Sequence, residues 1–175
     1  MQSQPVEHQK SEEALRAGFR NAMARLGAAV NIVTTDGPGG RTGFAATAVC
    51  SVSDAPPSLL VCVNRASSAY APVIRNGLLC VNVASGHHQP LCQLFGGKTA
   101  AEDRFRLGSW STLATGCPGL DDALEAFDCR VGSCIPSGSH NILICDVLAM
   151  KSRTEGRGLI YFDRAYHNIA GSSVT

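Results

Sequence analysis

Residues 42–64 constrain the fold of this chain more than any other stretch. They hold two apolar runs, 42–52 and 59–64, joined by a short Ser/Asp/Pro turn centred on Pro56-Pro57. The first run carries Gly, Ala, Thr, Cys and Ser where a strand is normally bulky. Small side chains let a ligand lie close to the backbone, whose free N–H and C=O groups can then read a flat heterocycle. The second run leads into Arg65-Ala66-Ser67-Ser68, a polar cluster suited to an anion. Together the two runs read as a cradle for a phosphorylated planar ligand.

At 175 residues the chain is long enough for one domain with a real core. Apolar residues make up 45 % and charged ones 17 %, which confines disorder to the ends. The polar residues 1–10 are expected to be a disordered tail, and residues 11–170 a single domain. The formal charge is +1 and the basic residues do not cluster, so neither nucleic acid nor a membrane surface is favoured as a partner. No apolar run approaches the ~20 residues that span a bilayer, and the N-terminus lacks the apolar stretch of a signal peptide. A cytoplasmic protein is expected, and its low charge favours an oligomer subunit.

The eight cysteines include no C-x-x-C pair. Zinc sites need closely spaced ligands, so no metal is expected. Cys50, Cys62, Cys80, Cys129, Cys134 and Cys145 fall in apolar strand-like runs and read as buried, reduced thiols. Cys92 and Cys117, in less regular surroundings, are expected to be the more exposed pair.

Residues 11–26 predict an amphipathic helix, with Leu15, Phe19, Ala22, Met23 and Leu26 at helical spacing and Gly27 to end it. Thereafter residues 28–35, 42–52, 59–64, 78–83, 124–134, 141–150 and 159–162 read as strands, with 36–40 as a hairpin loop. Residues 67–76 and 89–95 predict short helices, and 96–120 an irregular excursion over a site. Helices this few and short do not fit an alternating β-α-β layout. Mostly antiparallel strands with peripheral helices point to a closed or split barrel.

Familiar motifs fail on spacing. The glycines at 37, 39, 40 and 43 lack the dinucleotide pattern and lead into a strand. Gly97-Lys98-Thr99 resembles the end of a phosphate loop but follows a helix, which leaves Lys98 as a lone candidate for an anion. Ser67 and Ser68 open a predicted helix, where hydroxyls and free N–H groups can receive an anion or simply cap. His140 follows Gly138-Ser139 on a turn before a strand, where it can face a cleft. Tyr161, Phe162, Tyr166 and His167 end the last strand. No nucleophile–base–acid order stands out.

Residues 19–26, 30–36, 43–53, Pro56-Pro57, 80–83, 138–140 and 158–162, in this order, resemble the short flavin reductases. These are reductase components of two-component aromatic monooxygenases, of the 4-hydroxyphenylacetate 3-monooxygenase type. The likeness covers roughly residues 16–169. It implies a mainly β, FMN-binding split β-barrel with a few peripheral helices, usually a homodimer. It further implies an enzyme that uses NADH, or alternatively NADPH, to reduce FAD or FMN and hands the reduced flavin to a separate oxygenase component.

Carried over by residue, Ala45, Ala46, Thr47, Ala48, Val49, Ser51 and Val52 would contact the isoalloxazine and ribityl chain. The segment of Ala66, Ser67, Ser68 and Tyr70 would hold the phosphate, chiefly through its serines. Phe95 and Lys98 would border the flavin. His140 would meet the nicotinamide and is the single catalytic candidate. Phe162, Asp163, Arg164 and Tyr166 would line the nicotinamide side. Two departures bear on nicotinamide binding: Ser139 stands where many relatives carry Asp, and the segment from Asp163 to Tyr166 lacks a glycine often found there.

Hydride transfer needs no protein nucleophile, in keeping with the missing triad. A flavin-dependent oxidase on the same fold is an alternative, against which Gly138-Ser139-His140 and Pro56-Pro57 argue. A non-catalytic flavin- or haem-binding module is another. The choice between FAD and FMN stays open, with a slight lean to FAD from the resemblance.

Overall fold

The computed structural model describes residues 4–170, with side chains from residue 11 onward. It is mainly β, with twelve strands described in three antiparallel sheets. The opening helix α1 spans Gln4–Met23. It starts seven residues before the expected position, so residues 4–10 are helical, not a disordered tail; residues 1–3 of that tail lie outside the described residues. Pro5 sits in the first turn, where its missing N–H is harmless, and the helix runs on through Gly18, its one glycine, because good helix formers such as Ala14, Leu15, Arg16 and Ala17 precede it. The helix ends early because the amides of Arg25 and Leu26 turn onto the carbonyls of Ala22 and Met23 in a tightened last turn.

The largest sheet has seven strands in the order β3-β2-β6-β9-β10-β5-β4. These are β2 (Asn31–Thr35), β3 (Thr42–Ala46), β4 (Val49–Asp54), β5 (Pro57–Asn64), β6 (Leu78–Val83), β9 (Glu125–Ser137) and β10 (His140–Ser152). Its two edges, β3 and β4, are consecutive in the chain and joined only by Thr47-Ala48. Three virtual bonds of ~3.8 Å bring the edges within about 11 Å there, so the sheet must roll on itself into a split barrel. The expected single strand over 42–52 is broken at that corner.

The expected strand over 28–35 is also two: β1 (Ala28–Ala29) pairs with β11 (Arg157–Phe162), and β2 joins the large sheet. Val30 marks the crossing, its N–H bonded to Leu159 O and its carbonyl to the Ala84 N–H. The three-stranded sheet is completed by β12 (Ala165–Ala170).

Val33, Val61, Val63, Leu79, Val81 and Leu143 fill the rolled sheet together with Val73 of helix α2 (Tyr70–Asn76). A second cluster packs Val30, Ile32, Leu120 and Leu159 against Leu91, Cys92 and Phe95 of α3 (Gln89–Gly96). Residues 96–120 are less irregular than expected. They contain the short α4 (Ala101–Arg104) and the hairpin β7 (Trp110–Thr112) with β8 (Pro118–Leu120). Buried Asn82 holds this excursion in place, accepting from Leu120 N–H at 2.7 Å while donating to Ile32 O at 2.9 Å.

Cysteine exposure reverses part of the expectation. Cys92 and Cys117 are fully buried, whereas Cys50 and Cys134 are exposed. Cys92 lies on the inward face of α3 and Cys117 packs with Cys80 and Ala126. Cys134 sits instead where β9 and β10 extend beyond the core, and Cys50 on edge strand β4. All eight are free thiols. Burial pushes the Cys92 thiol up to about 12.

Candidate functional site

A cavity of about 920 Å³ opens between edge strand β3, the start of α2 and the α3–α4 connection. Its floor is Phe44, Ala45 and Ala46, and its corner is Thr47-Ala48. Because β3 pairs only with β2, half of its backbone polar groups have no partner strand. Gly43, just before this floor, has no room for a side chain. A Cβ there would stand 2.6 Å from Val33 O and 2.7 Å from the Phe95 ring.

One wall carries Ser67, Ser68, Pro72 and Gly39; the other runs from Phe95 through Gly96, Gly97, Lys98 and Thr99 to Arg104. Cys62, Asn64 and His140 close one end. Among the lining residues are three cations, Arg41, Lys98 and Arg104, and no carboxylate. The result is a cradle of stubby residues with a positive rim.

His140 opens β10, opposite Asn64 of β5 and Ser137 of β9. Gly138-Ser139 forms the two-residue hairpin turn before it, with Gly138 at φ 55° as such turns require. Arg65 latches the turn, its guanidinium donating to Gly138 O and its N–H to Ser139 O at 3.0 Å. Ser139 Oγ lies 2.9 Å from His140 Nδ1, so a hydroxyl orients the ring where a carboxylate was missing from the sequence.

Helix α2 begins at Tyr70, not at Ser67. Ser67 Oγ accepts the Ala69 N–H at 3.2 Å in a local turn. The two serines therefore line the cavity as hydroxyls rather than as the first turn of a helix.

Of the residues singled out in the sequence, Ala45, Ala46, Thr47, Ala48, Ser67, Ser68, Phe95, Lys98 and His140 meet in this cavity. Others lie outside its lining. Val49 packs toward the core, while Ser51 and Val52 continue along β4 at the surface. Ala66 donates its N–H to Asn64 Oδ1, and Tyr70 takes a bond from the Asn141 amide at 2.9 Å. Tyr166 lines a smaller cavity of about 180 Å³ with Val30 and Tyr161, and Ala45, Ala46 and Thr47 border both cavities. Phe162 is exposed at the end of β11. Asp163 and Arg164 form the β11–β12 turn and hold the end of α1, through Ala24 O and Asn21.

Sequence reasoning missed Arg41, Cys62, Asn64 and Arg104. Arg104 sits among Glu102, Asp103 and Arg106, a pattern that reads as an ordinary solvated face. Only the fold turns it inward.

A second polar cluster lies elsewhere. His87 Nε2 and His88 Nε2 approach the two oxygens of Asp122 at 2.8 and 2.9 Å. Its donor atoms are close enough to suggest a metal. However, His88 Nδ1 accepts the Ser85 N–H at 2.9 Å, so the neutral ring carries its proton on Nε2 and gives it to Asp122. No lone pair of His88 remains for an ion. The trio is a brace. Burial holds His88 below its usual range, against the pull of Asp122.

The Flavin reductase like domain family matches residues 23–170. The FMN reductase (NADH) RutF 2 of Rhizobium rhizogenes strain K84 is 60 % identical over 159 residues, covering 91 % of this chain and 92 % of the relative. Among solved structures, the flavin reductase PheA2 superposes with a TM-score of 0.78 at 29 % identity, covering 87 % of this chain and 97 % of that one. A homologue of nitrilotriacetate monooxygenase component B from Mycobacterium thermoresistibile gives 0.85 at 26 %, covering 94 % and 92 %.

Proposed function

The chain belongs to the flavin reductase-like family, and from that membership we propose that it is an NADH-dependent FMN reductase that supplies reduced flavin to a separate oxygenase. The observation that carries this reading is the 920 Å³ cavity, floored by small residues on an unpaired strand edge and rimmed by cations with no carboxylate. Its size suits a tricyclic ring with a short tail, and its charge suits a phosphorylated one. FMN is preferred over FAD, and NADH over NADPH, because the relatives are named for that pair.

Bound in this cavity, FMN supplies the two-electron acceptor for a hydride from NADH. The chain's own task is placement. Ala45, Ala46, Thr47 and Ala48 let the ring approach the strand, and free backbone groups of β3 can meet its polar edge. Ser67 and Ser68 offer hydroxyls to the phosphate. Phe95 and Lys98 border the ring, and His140, oriented by Ser139, positions the nicotinamide. Ala66 and Tyr70 support the serine loop from behind; Val49, Ser51 and Val52 continue the corner away from the cavity. Tyr166, on the far side of β3, and the Phe162-Asp163-Arg164 turn form the second face on which nicotinamide selectivity depends.

The partner in assembly is a second copy of the chain. Leu15, Phe19 and Met23 of α1 and Leu26 of the turn after it remain largely exposed in one subunit. Residues 11–170 make up one functional domain. No described helix is long and apolar enough to cross a membrane, and a reductase drawing on NADH fits the cytoplasm. For the receiving oxygenase we propose one that acts on an aromatic compound, the substrate class that the resemblance implies.

Purified protein mixed with NADH and FMN, FAD or riboflavin tests the reading. Steady loss of nicotinamide absorbance, fastest with FMN, is expected. No oxidation with any flavin would refute it.

A further inference from the structure

One buried charge in the cavity has no counter-charge among the described residues. Arg104 is only 5 % exposed, yet it lines the cavity. Its Nε donates to Thr99 O at 2.9 Å and its Nη1 to Gly43 O. Both acceptors are neutral. The acids nearest in sequence are turned elsewhere: Asp103 pairs with Arg106 at 2.9 Å and Glu102 is exposed. Among the described residues no carboxylate forms an ion pair with Arg104. A buried guanidinium in this condition is unfavourable unless something brings it negative charge. Its Nη2 edge is still available, because two of the three nitrogens are pinned by backbone carbonyls.

The other polar groups of the cavity cannot do the same work. Ser67 and Ser68 are neutral, and Ser67 already accepts a backbone amide. Lys98 is exposed, and Arg41 is exposed with its guanidinium stacked 4.1 Å over Phe105, so water screens both. Only Arg104 combines burial, a fixed orientation and an unmatched charge.

We propose that Arg104 is the residue by which this cavity selects a phosphorylated flavin over its unphosphorylated form, the phosphate being the counter-ion that the fold withholds. This rests on the reading of the cavity as a flavin site. The backbone clamp from Gly43 and Thr99 presents the fork ready-made, so little order has to be gained when the anion arrives. The serines then add hydrogen bonds to a phosphate whose charge is already matched.

The test is equilibrium binding, read by flavin fluorescence, of FMN and riboflavin to the native protein, Arg104→Gln and Arg104→Lys. Arg104→Gln is expected to weaken FMN by about 30-fold or more, the range for removing one partner of a buried charge pair. Riboflavin should change by less than about threefold, and Arg104→Lys should restore part of the FMN affinity. Equal losses for both ligands, or an unchanged FMN constant, would overturn the proposal. Should Arg104→Gln fail to fold by circular dichroism, Arg104→Lys and the native protein carry the test. FMN must then raise the native melting temperature more than riboflavin does at equal concentration, and equal shifts would overturn the assignment. Binding is read without NADH, so a protein that discriminates the phosphate but oxidises no NADH would refute the reductase reading and leave this one standing.

Discussion

Replacing Gly43 with alanine probes fold and site together. The new methyl would stand 2.6 Å from Val33 O and 2.7 and 3.0 Å from two carbons of the Phe95 ring. Neither neighbour can yield cheaply. Val33 O belongs to the backbone of β2, which pairs with both β3 and β6. Phe95 is 2 % exposed and wedged against Phe105 and Trp110, at ring distances of 5.2 and 5.7 Å. Overpacking of this kind destabilises by about 1–3 kcal/mol. For a chain of this length that lowers the melting temperature by roughly 2–4 °C per kcal/mol. Flavin binding should weaken as well, because Phe95 lines the cavity and Gly43 O holds Arg104. Gly18→Ala is the control: its Cβ meets nothing within 4 Å, in the middle of α1, and it should stabilise by about 0.5–1 kcal/mol. Thermal and urea unfolding of both variants, with FMN titration, is the assay. A Gly43→Ala protein that melts with the native one and binds FMN equally well would refute the close packing of β3 against α3.

His140→Ala is expected to raise KM for NADH roughly three- to tenfold, the loss of about one hydrogen bond, and to move KM for flavin less; steady-state kinetics with NADH unchanged would remove its assigned role. Ser67→Ala combined with Ser68→Ala should weaken FMN by about tenfold and riboflavin much less; equal losses would show that no phosphate lies beside them. His88 gives a pH signature. Its folded pKa is depressed by burial, so the unfolded chain, with a value near 6.5, takes up a proton first as pH falls. Stability is full above about pH 6.5 and declines below it, and His88→Gln should flatten that decline; identical melting-temperature slopes between about pH 7.5 and pH 5.5 would refute the buried neutral ring.

Much of the barrel was legible because its strands carry their signal locally. Residues 59–64 and 78–83 are dense in Val, Leu and Cys and lie almost unchanged in β5 and β6. What stayed hidden was where one run serves two sheets. Nothing in Ala28, Ala29 and Val30 announces that the chain leaves one sheet and enters another. Likewise Thr47-Ala48 looks no different from the residues around it, yet the whole roll of the sheet turns there. Strand β12 escaped notice for a different reason. Its hairpin turn, Asp163-Arg164, has φ of 46° and 62° at two residues that are not glycine, so the glycine usual at the second position is missing and contacts with Asn21 and Ala24 hold the geometry instead.

The site divides along the same line. Its small residues could be read from the sequence, because Ala, Thr and Ser in an apolar strand are unusual wherever the strand ends up. Its charges could not. A lone arginine in a short charged segment looks the same whether it faces water or an interior, and which occurs depends on α4 lying against β3, where Arg104 meets Gly43, 61 residues earlier in the chain. Edge strand β3 is what joins the two halves. Being unpaired on one side, it leaves the Gly43 carbonyl free to hold Arg104. Being lined with alanines, it leaves space for a ring at the other end. A site of this kind places its reactants by backbone and by one buried charge, and so presents no constellation of reactive side chains for a sequence to display.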